Sequence, residues 1–355
     1  MNILLVGGNW DLSGGRKSKI VNLFKNELPN ATVYNGGNYF DLCRIVSLSI
    51  HYDVVLWWAN VPNDLPKIRN IKEVNYKAML VTSKRNNDEY SFEDLLQRSL
   101  EAKANLTIEF RQGEKRYNMR LFDPLGNLWY DGTSISKCTR KMLDRLEFLQ
   151  RMTREKTFPS QEKIDIKDDI FDNSFINIVR YYATIFAEVI FQTKDVKRFL
   201  GNASFRCPKG FPSFRHGNLI FVSKRNVNKE HIGINDFVPV YIENGKIFYI
   251  GDNKPSVDTP VQLKLYDKLT NINYMIHSHC YIKDAPFTKK SIPCGAIEEV
   301  KEIFDAIKEH YDNDYAKDFY VFNLKGHGSI MMSKESKQLE NLEIIGRNLP
   351  EVSKN

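Results

Sequence analysis

The sequence predicts two successive α/β units, and three observations predict them. Short, fully apolar runs alternate with helix-spaced segments in the first part of the 355-residue chain. A polar, aperiodic stretch with one proline follows at Thr153–Asp169. A second set of strand-like and helix-like segments then begins near Ser174. Apolar runs of four to six residues separated by helices are what a parallel sheet covered on both faces requires, in a Rossmann-like or flavodoxin-like order. The expected organisation is a domain over residues 1–152, a linker over 153–170 and a second domain over 171–355.

In the first domain, Ile3–Val6 reads as a buried strand, and Lys17–Leu28 as a helix with Ile20, Val21, Leu23, Phe24 and Leu28 on one face. Asp53–Trp58 and Ala78–Thr82 are further apolar strands. Around Asp123-Pro124-Leu125-Gly126-Asn127 the pattern becomes strand, turn, strand, and a charged amphipathic helix over Ser136–Met152 closes the domain. The second domain opens with a helix over Ser174–Gln192. Strands follow at Leu219–Val222 and Val238–Ile242, with Asn244-Gly245 as a hairpin turn into Ile247–Ile250. Helix Pro260–Leu269 leads to strand Tyr274–Ile276, and helix Ala296–His310 to strand Phe319–Leu324. This sequence of elements predicts a mixed sheet in an α/β/α layering.

Composition narrows the function classes. With 42% hydrophobic and 27% charged residues the chain is an ordinary globular protein, and it has no run of about 18 apolar residues that would span a membrane. Met1–Gly7 reads as a buried strand rather than a cleaved leader, so a cytoplasmic location is expected. The five cysteines, Cys43, Cys138, Cys207, Cys280 and Cys294, form no CxxC pair, which speaks against a disulfide framework or a thiolate zinc site. The formal charge of +7 arises from 51 basic and 44 acidic residues that are interleaved, as in Lys163–Asp169. A solvated surface or a small anionic substrate accounts for it, and nucleic acid is not an expected partner.

The histidines carry the chemistry. In His277-Ser278-His279, residues i and i+2 of an extended segment point to one face, so two imidazoles converge at the end of the run Tyr274-Met275-Ile276. His327 lies in Gly326-His327-Gly328, just past Tyr320–Leu324. Three imidazoles delivered by strand ends suit Zn²⁺ or another divalent metal with a position left open for catalysis.

Four blocks in order over about residues 174–345 resemble the class II aldolase/adducin family. Gly201-Asn202-Ala203-Ser204-Phe205-Arg206 is similar to its GN-x-S-x-R block. Lys254-Pro255-Ser256-Val257-Asp258-Thr259-Pro260 is similar to its KPS-x-[ED] block, and most so to the PSSDTP form of the ribulose-phosphate 4-epimerases. His277-Ser278-His279 matches its HxH, and Gly326-His327-Gly328 its late HG. The resemblance implies a class II aldolase-like α/β/α domain with zinc on His277, His279 and His327. The implied activity is a lyase or epimerase acting on a small hydroxy-carbonyl substrate, anionic or sugar-phosphate-like, through a metal-stabilised enediolate. It further implies Gly201, Asn202 and Ser256 on the substrate phosphate, and Asp258 as acid/base or as a fourth ligand. Read on their own, Asp258 also fits a helix N-cap, Gly201-Asn202 a helix stop and Ser256 a turn. Homo-oligomers, often tetramers, come with the family, and so does a second class of function: adducins use the fold as a non-catalytic scaffold.

Three departures stand out. The family's second phosphate loop is replaced by Ser223-Lys224-Arg225-Asn226, Val257 replaces the second serine of the KPS block, and the segment from His279 to Ile292 is short. In the first domain, Gly7–Ser18 joins a strand to a helix and is rich in glycine. Such a loop can cradle a phosphate, so a nucleotide is the expected ligand if it binds one; otherwise it is a strand–helix turn. It matches neither the Walker A nor the GxGxxG pattern. Asn60, Asn63 and Asp64 would line the same sheet edge.

Overall fold

The computed structural model describes residues 1–62, 71–113, 117–164, 171–189, 199–208 and 219–346. It divides into two compact units, Met1–Arg151 and Met152–Asn348.

The first unit is built on a seven-stranded sheet. Its strands are β1 (Ile3–Asp11), β2 (Thr32–Asn38), β3 (Val54–Asn60), β4 (Met79–Asn86), β5 (Leu106–Gln112), β6 (Tyr117–Phe122) and β7 (Leu128–Gly132). Their order across the sheet is β2-β1-β3-β4-β5-β6-β7. The first five are parallel, and β6 and β7 continue antiparallel. An order of 2-1-3-4-5 is the flavodoxin-like solution, whose switch point lies between β1 and β3.

Alternate strand residues feed two cores. Leu5, Leu56 and Val81 pack with helices α1 (Lys19–Glu27) and α5 (Ile135–Arg151), through Phe24 and Met142 among others. Leu4, Val6, Val55 and Leu80 pack with α2 (Tyr39–Leu48) and α3 (Ile71–Val74). Burial on both faces is why these strands read as unbroken apolar runs. The last helix, α4 (Phe92–Glu101), starts at a capping box in which Ser91 and Asp94 satisfy each other's backbone N–H groups. The turn between β6 and β7 is held by Asp123, whose carboxylate accepts the backbone N–H groups of Leu125 and Asn127.

The second unit holds an eight-stranded sheet. Its strands are β8 (Thr157–Pro159), β9 (Asn202–Arg206), β10 (Ile220–Ser223), β11 (Phe237–Glu243), β12 (Lys246–Tyr249), β13 (Tyr274–Ser278), β15 (Phe319–Leu324) and β16 (Gly328–Ser333). Their order is β15-β16-β13-β9-β10-β11-β12-β8, and only β12 and β8 run parallel. Residues 153–170, which read as a linker, thus contribute an edge strand. Three residues ending in a proline suit an edge, where the missing N–H leaves no ladder bond unmade. A two-stranded ribbon pairs β14 (Tyr281–Ile282) with β17 (Ile344–Gly346).

One face of the large sheet is covered by α6 (Asn173–Val189), through Phe175, Val179 and Tyr182. The other is covered by α7 (Thr259–Lys268) and α8 (Glu298–His310), through Leu265, Tyr266, Ile303 and Ile307. The layering is α/β/α, and β13 runs near its centre with β16 on one side and β9 on the other. No helix among the described residues is long and apolar enough to cross a membrane. The predicted positions Asn63 and Asp64 and the predicted helix end at Gln192 lie outside the described residues.

Candidate metal centre and a separate cleft

Residue parity along β13 decides which side chains meet. Met275 belongs to the core under α7 and α8, and Ile276 to the core under α6. His277 shares Met275's parity and so faces the α7/α8 layer; His279 follows just past the end of β13, and Cys280 packs into the opposite core. His327 arrives from the turn between β15 and β16. The ligand nitrogens of His277, His279 and His327 lie within 4.8 Å of one another, the one such His/Cys/Asp/Glu cluster among the described residues. Three nitrogens about 2.0–2.1 Å from one zinc in a tetrahedral arrangement would be about 3.3 Å apart, so modest rotation of the rings closes the set.

Two glycines let the backbones crowd together here. A Cβ on Gly328 would come 1.9 Å from the Ser278 carbonyl oxygen, and one on Gly201 (φ +74°) would come 2.6 Å from the His277 carbonyl oxygen. The glycines of the GN and HGxx-type blocks therefore press β9 and β16 against the histidine strand.

Each imidazole nitrogen has an assignable role. The Ser329 carbonyl, 2.8 Å from His277 Nδ1, can only accept, so Nδ1 carries the proton and Nε2 is left as the donor atom. Nε2 of His277 is buried and has no hydrogen-bond partner among the described residues, so its lone pair is free to serve as a ligand. His327 Nδ1 lies 2.8 Å from Glu299 of α8, and its Nε2 lies 3.0 Å from Cys294 Sγ. A carboxylate behind a ligating imidazole orients the ring and makes it a better donor. All three rings are enclosed, with exposures of 4%, 4% and 0%. Burial, reinforced by the neighbouring His327, pulls His277 down to about 4, so it is neutral at pH 7. Burial also opposes charge on His327, but Cys294 and Glu299 beside it hold it well above the usual histidine range in the metal-free protein. Glu299 itself is pushed up by burial.

Asp258 stands at the start of α7 yet makes no cap with its side chain. Its Oδ2 accepts the Asn202 amide at 2.7 Å, and its Oδ1 accepts the Gly295 N–H at 2.7 Å. Asn202 in turn accepts from Gln262 through its own oxygen. Ser256 is buried in the turn before α7, where its Oγ lies 3.3 Å from the Asp258 N–H and its carbonyl accepts from Thr259. Gly201, Asn202 and Asp258 are thus joined to the histidine strand and to one another. Arg206, the last residue of the first block, serves α7 instead: it lies over the Tyr266 ring and donates to the Tyr266 and Leu269 carbonyls. Lys224 pairs with Asp236, and Arg225 donates to the Pro255 carbonyl.

Three residues near the cluster escaped the sequence reading. Cys294 and Glu299 stand 33 and 28 residues from the histidine they touch, and no fixed spacing announces such contacts. Lys229 is buried within electrostatic reach of Asp258 and His277, donating to the Val227 carbonyl, and burial brings it down to about 8.

The first unit has a cleft of about 1050 Å³ at the carboxyl ends of its parallel strands. Gly8 and Asn9 of β1, Trp58 and Asn60 of β3, and Thr82 to Arg85 of β4 line it, together with the cations Arg16, Lys17, Arg98 and Lys103. The glycine-rich loop at its rim is tightly self-bonded. The Gly15 N–H donates to Gly37, that of Asn9 to Arg16, and that of Ser18 to the Asn35 side chain. A Cβ on Gly15 would fall 1.8 Å from the Asn9 carbonyl oxygen. These glycines serve chain crossing, and three of the loop's donors are already spent.

The family profile described as Class II Aldolase and Adducin N-terminal domain matches residues 185–338. No curated protein matches the chain. Among solved structures, YgbL of Klebsiella pneumoniae, a candidate aldolase/epimerase/decarboxylase, is 13% identical, covering 47% of this chain and 83% of its own with a TM-score of 0.28. An aldolase II superfamily protein from Pseudomonas syringae is 10% identical, over 49% of this chain and 70% of its own, with a TM-score of 0.33. The DNA/Pantothenate Metabolism Flavoprotein from Streptococcus pneumoniae is 14% identical, over 42% of this chain and 99% of its own, with a TM-score of 0.33. All three histidines lie within the segment that matches the class II aldolase and adducin family profile.

Proposed function

We propose that the second unit is a metal-dependent lyase or epimerase acting on a small, anionic hydroxy-carbonyl compound, with zinc or a similar divalent ion held by His277, His279 and His327. One observation carries this reading: three buried imidazoles converge, and the buried Nε2 of His277 has no hydrogen-bond partner among the described residues. When bound, the ion would supply Lewis-acid stabilisation of negative charge developing on substrate oxygens.

The chain's own residues supply the rest. Ser329 and Glu299 fix the tautomers and orientations of His277 and His327. Asp258 is the proposed acid/base. Its two hydrogen bonds hold the carboxylate in place, and each oxygen keeps a further lone pair with which to take up a proton. Gly201, Asn202 and Ser256 are proposed to position the substrate's anionic group, with the buried ammonium of Lys229 as a nearby cation. A homo-oligomer completes the proposal, on the family likeness alone.

The test is metal content by mass spectrometry on protein purified without chelators or a metal-affinity tag, compared with His279→Ala. About one divalent ion per chain, lost in the variant, is expected. A screen of hydroxy-carbonyl phosphates for cleavage or epimerisation follows from that result. A folded protein that takes up no metal, even when incubated with zinc, would overturn this reading in favour of a non-catalytic adducin-like scaffold.

A second ligand is proposed for the first unit. The cleft's volume, its place beside the β1/β3 switch point and its cationic lining suit a nucleotide. Because three loop donors are internally bonded, recognition there rests on the side chains of Arg16, Lys17, Arg98 and Lys103.

A further inference from the structure

Cys294 lies against the nitrogen that matters most. Glu299 takes Nδ1 of His327, so Nε2 is the atom left for a metal, and Cys294 Sγ rests 3.0 Å from it. In a tetrahedral zinc site, with Zn–N near 2.0–2.1 Å and Zn–S near 2.3 Å, a coordinated nitrogen and sulfur stand about 3.6 Å apart. The observed separation from that one nitrogen is therefore about half an ångström shorter than the coordinated value, so side-chain rotation would have to bring the sulfur toward the other two imidazoles. The buried Nε2 of His277, which has no hydrogen-bond partner among the described residues, belongs to the same three-histidine group, and Cys294 adjoins that group through His327.

The backbone that carries the thiol is clamped. The Gly295 N–H donates to Asp258 at 2.7 Å, the Ala296 N–H donates to the Pro293 carbonyl, and Gly295 holds the left-handed φ of +74°, where a Cβ would also come 3.0 Å from the Val257 carbonyl oxygen. Cys294 is half-buried, whereas the three imidazoles are enclosed. The other cysteines of this unit lack such a setting. Cys280 sits in the opposite core, and Cys207 is pushed up to about 11 by burial.

We infer that Cys294 is the fourth protein ligand of the metal, making the resting centre a three-histidine, one-cysteine site. The inference rests on the proposed three-histidine site and deepens it. As Sγ binds, the thiol gives up its proton to solvent. The thiolate reduces the net charge of the centre from 2+ to 1+ and favours zinc or cobalt over magnesium. Four protein ligands make a closed set, so the sulfur is the group that has to yield before a substrate oxygen can enter.

The full-length protein loaded with cobalt(II) in place of zinc tests this without any turnover assay. Wild type is expected to show a thiolate-to-cobalt charge-transfer band in the near ultraviolet. Cys294→Ser should still bind cobalt and lack that band. An identical near-ultraviolet spectrum in the variant overturns the cysteine assignment and leaves the histidine site standing. A wild-type protein that binds neither cobalt nor zinc overturns the site itself. Should Cys294→Ser misfold, wild type alone decides through iodoacetamide labelling and peptide mapping. Zinc is expected to slow alkylation of Cys294 by about tenfold or more while leaving Cys43 unchanged, because the free thiolate is the nucleophile. Equal Cys294 labelling with and without zinc overturns the inference.

Discussion

The cleft of the first unit and the histidine cluster of the second are opposite kinds of site. The cleft is roomy, rimmed by cations and edged by a glycine loop, three of whose backbone donors are spent within the protein. The cluster is enclosed, and it holds a ring nitrogen with no hydrogen-bond partner among the described residues. Among the described residues both sites hold a buried ring nitrogen without a hydrogen-bond partner, Nε2 of His277 and Nε1 of Trp58, so it is the convergence of three imidazoles that makes the cluster the sharper chemical statement.

Paired glycine substitutions give the largest expected effect. Gly328→Ala places a methyl group 1.9 Å from the Ser278 oxygen, and Gly15→Ala places one 1.8 Å from the Asn9 oxygen. Each should lower stability by about 3 kcal/mol in urea unfolding. Only Gly328→Ala should also lower zinc stoichiometry, because only that glycine packs on the histidine strand. Equal zinc uptake by both variants would break the contrast.

Next in size is Glu299→Gln. Loss of the carboxylate behind His327 should weaken zinc binding by about 10- to 100-fold in a competition titration. The pH dependence has a definite sign. In the metal-free protein His327 is held protonated above its usual range, so zinc must displace that proton, and affinity falls as the solution becomes more acidic. In Glu299→Gln this loss should begin at lower pH. A variant with wild-type affinity and pH profile would remove Glu299 from the site.

The smallest effect concerns the cleft. Calorimetric titration with ATP should show binding that weakens with added salt, and Arg98→Glu should weaken it by about tenfold, near 1.4 kcal/mol. Absence of heat in wild type would leave the cleft without a nucleotide role.

Much of this was legible in the sequence because its signals are local. Apolar runs marked β1, β3 and β4, and the i, i+2 spacing of His277 and His279 put both rings on one face before any fold was in hand. What could not be read was relational. β16 begins Gly328-Ser329 and carries little strand character of its own, but it pairs with both β13 and β15. β9 was read as a substrate-binding block, and it is also the ladder partner of β13. The glycine-rich loop looks the same whether glycine admits a phosphate or another stretch of backbone, and here Asn9 and Trp10 are what it admits. The five cysteines looked dispersed because contact across 33 residues has no sequence spacing.

The central placement of β13 has a consequence for how the protein matures. A slip of one residue against β9 and β16 would turn His277 into the oily layer beneath α6 and bring Ile276 round in its place. Gly201 and Gly328 each tolerate only one neighbour at their point of closest approach, so they act as the teeth of a ratchet that admits a single alignment. Acquisition of a metal would then proofread folding, since only a correctly seated strand presents a place for the ion to lodge.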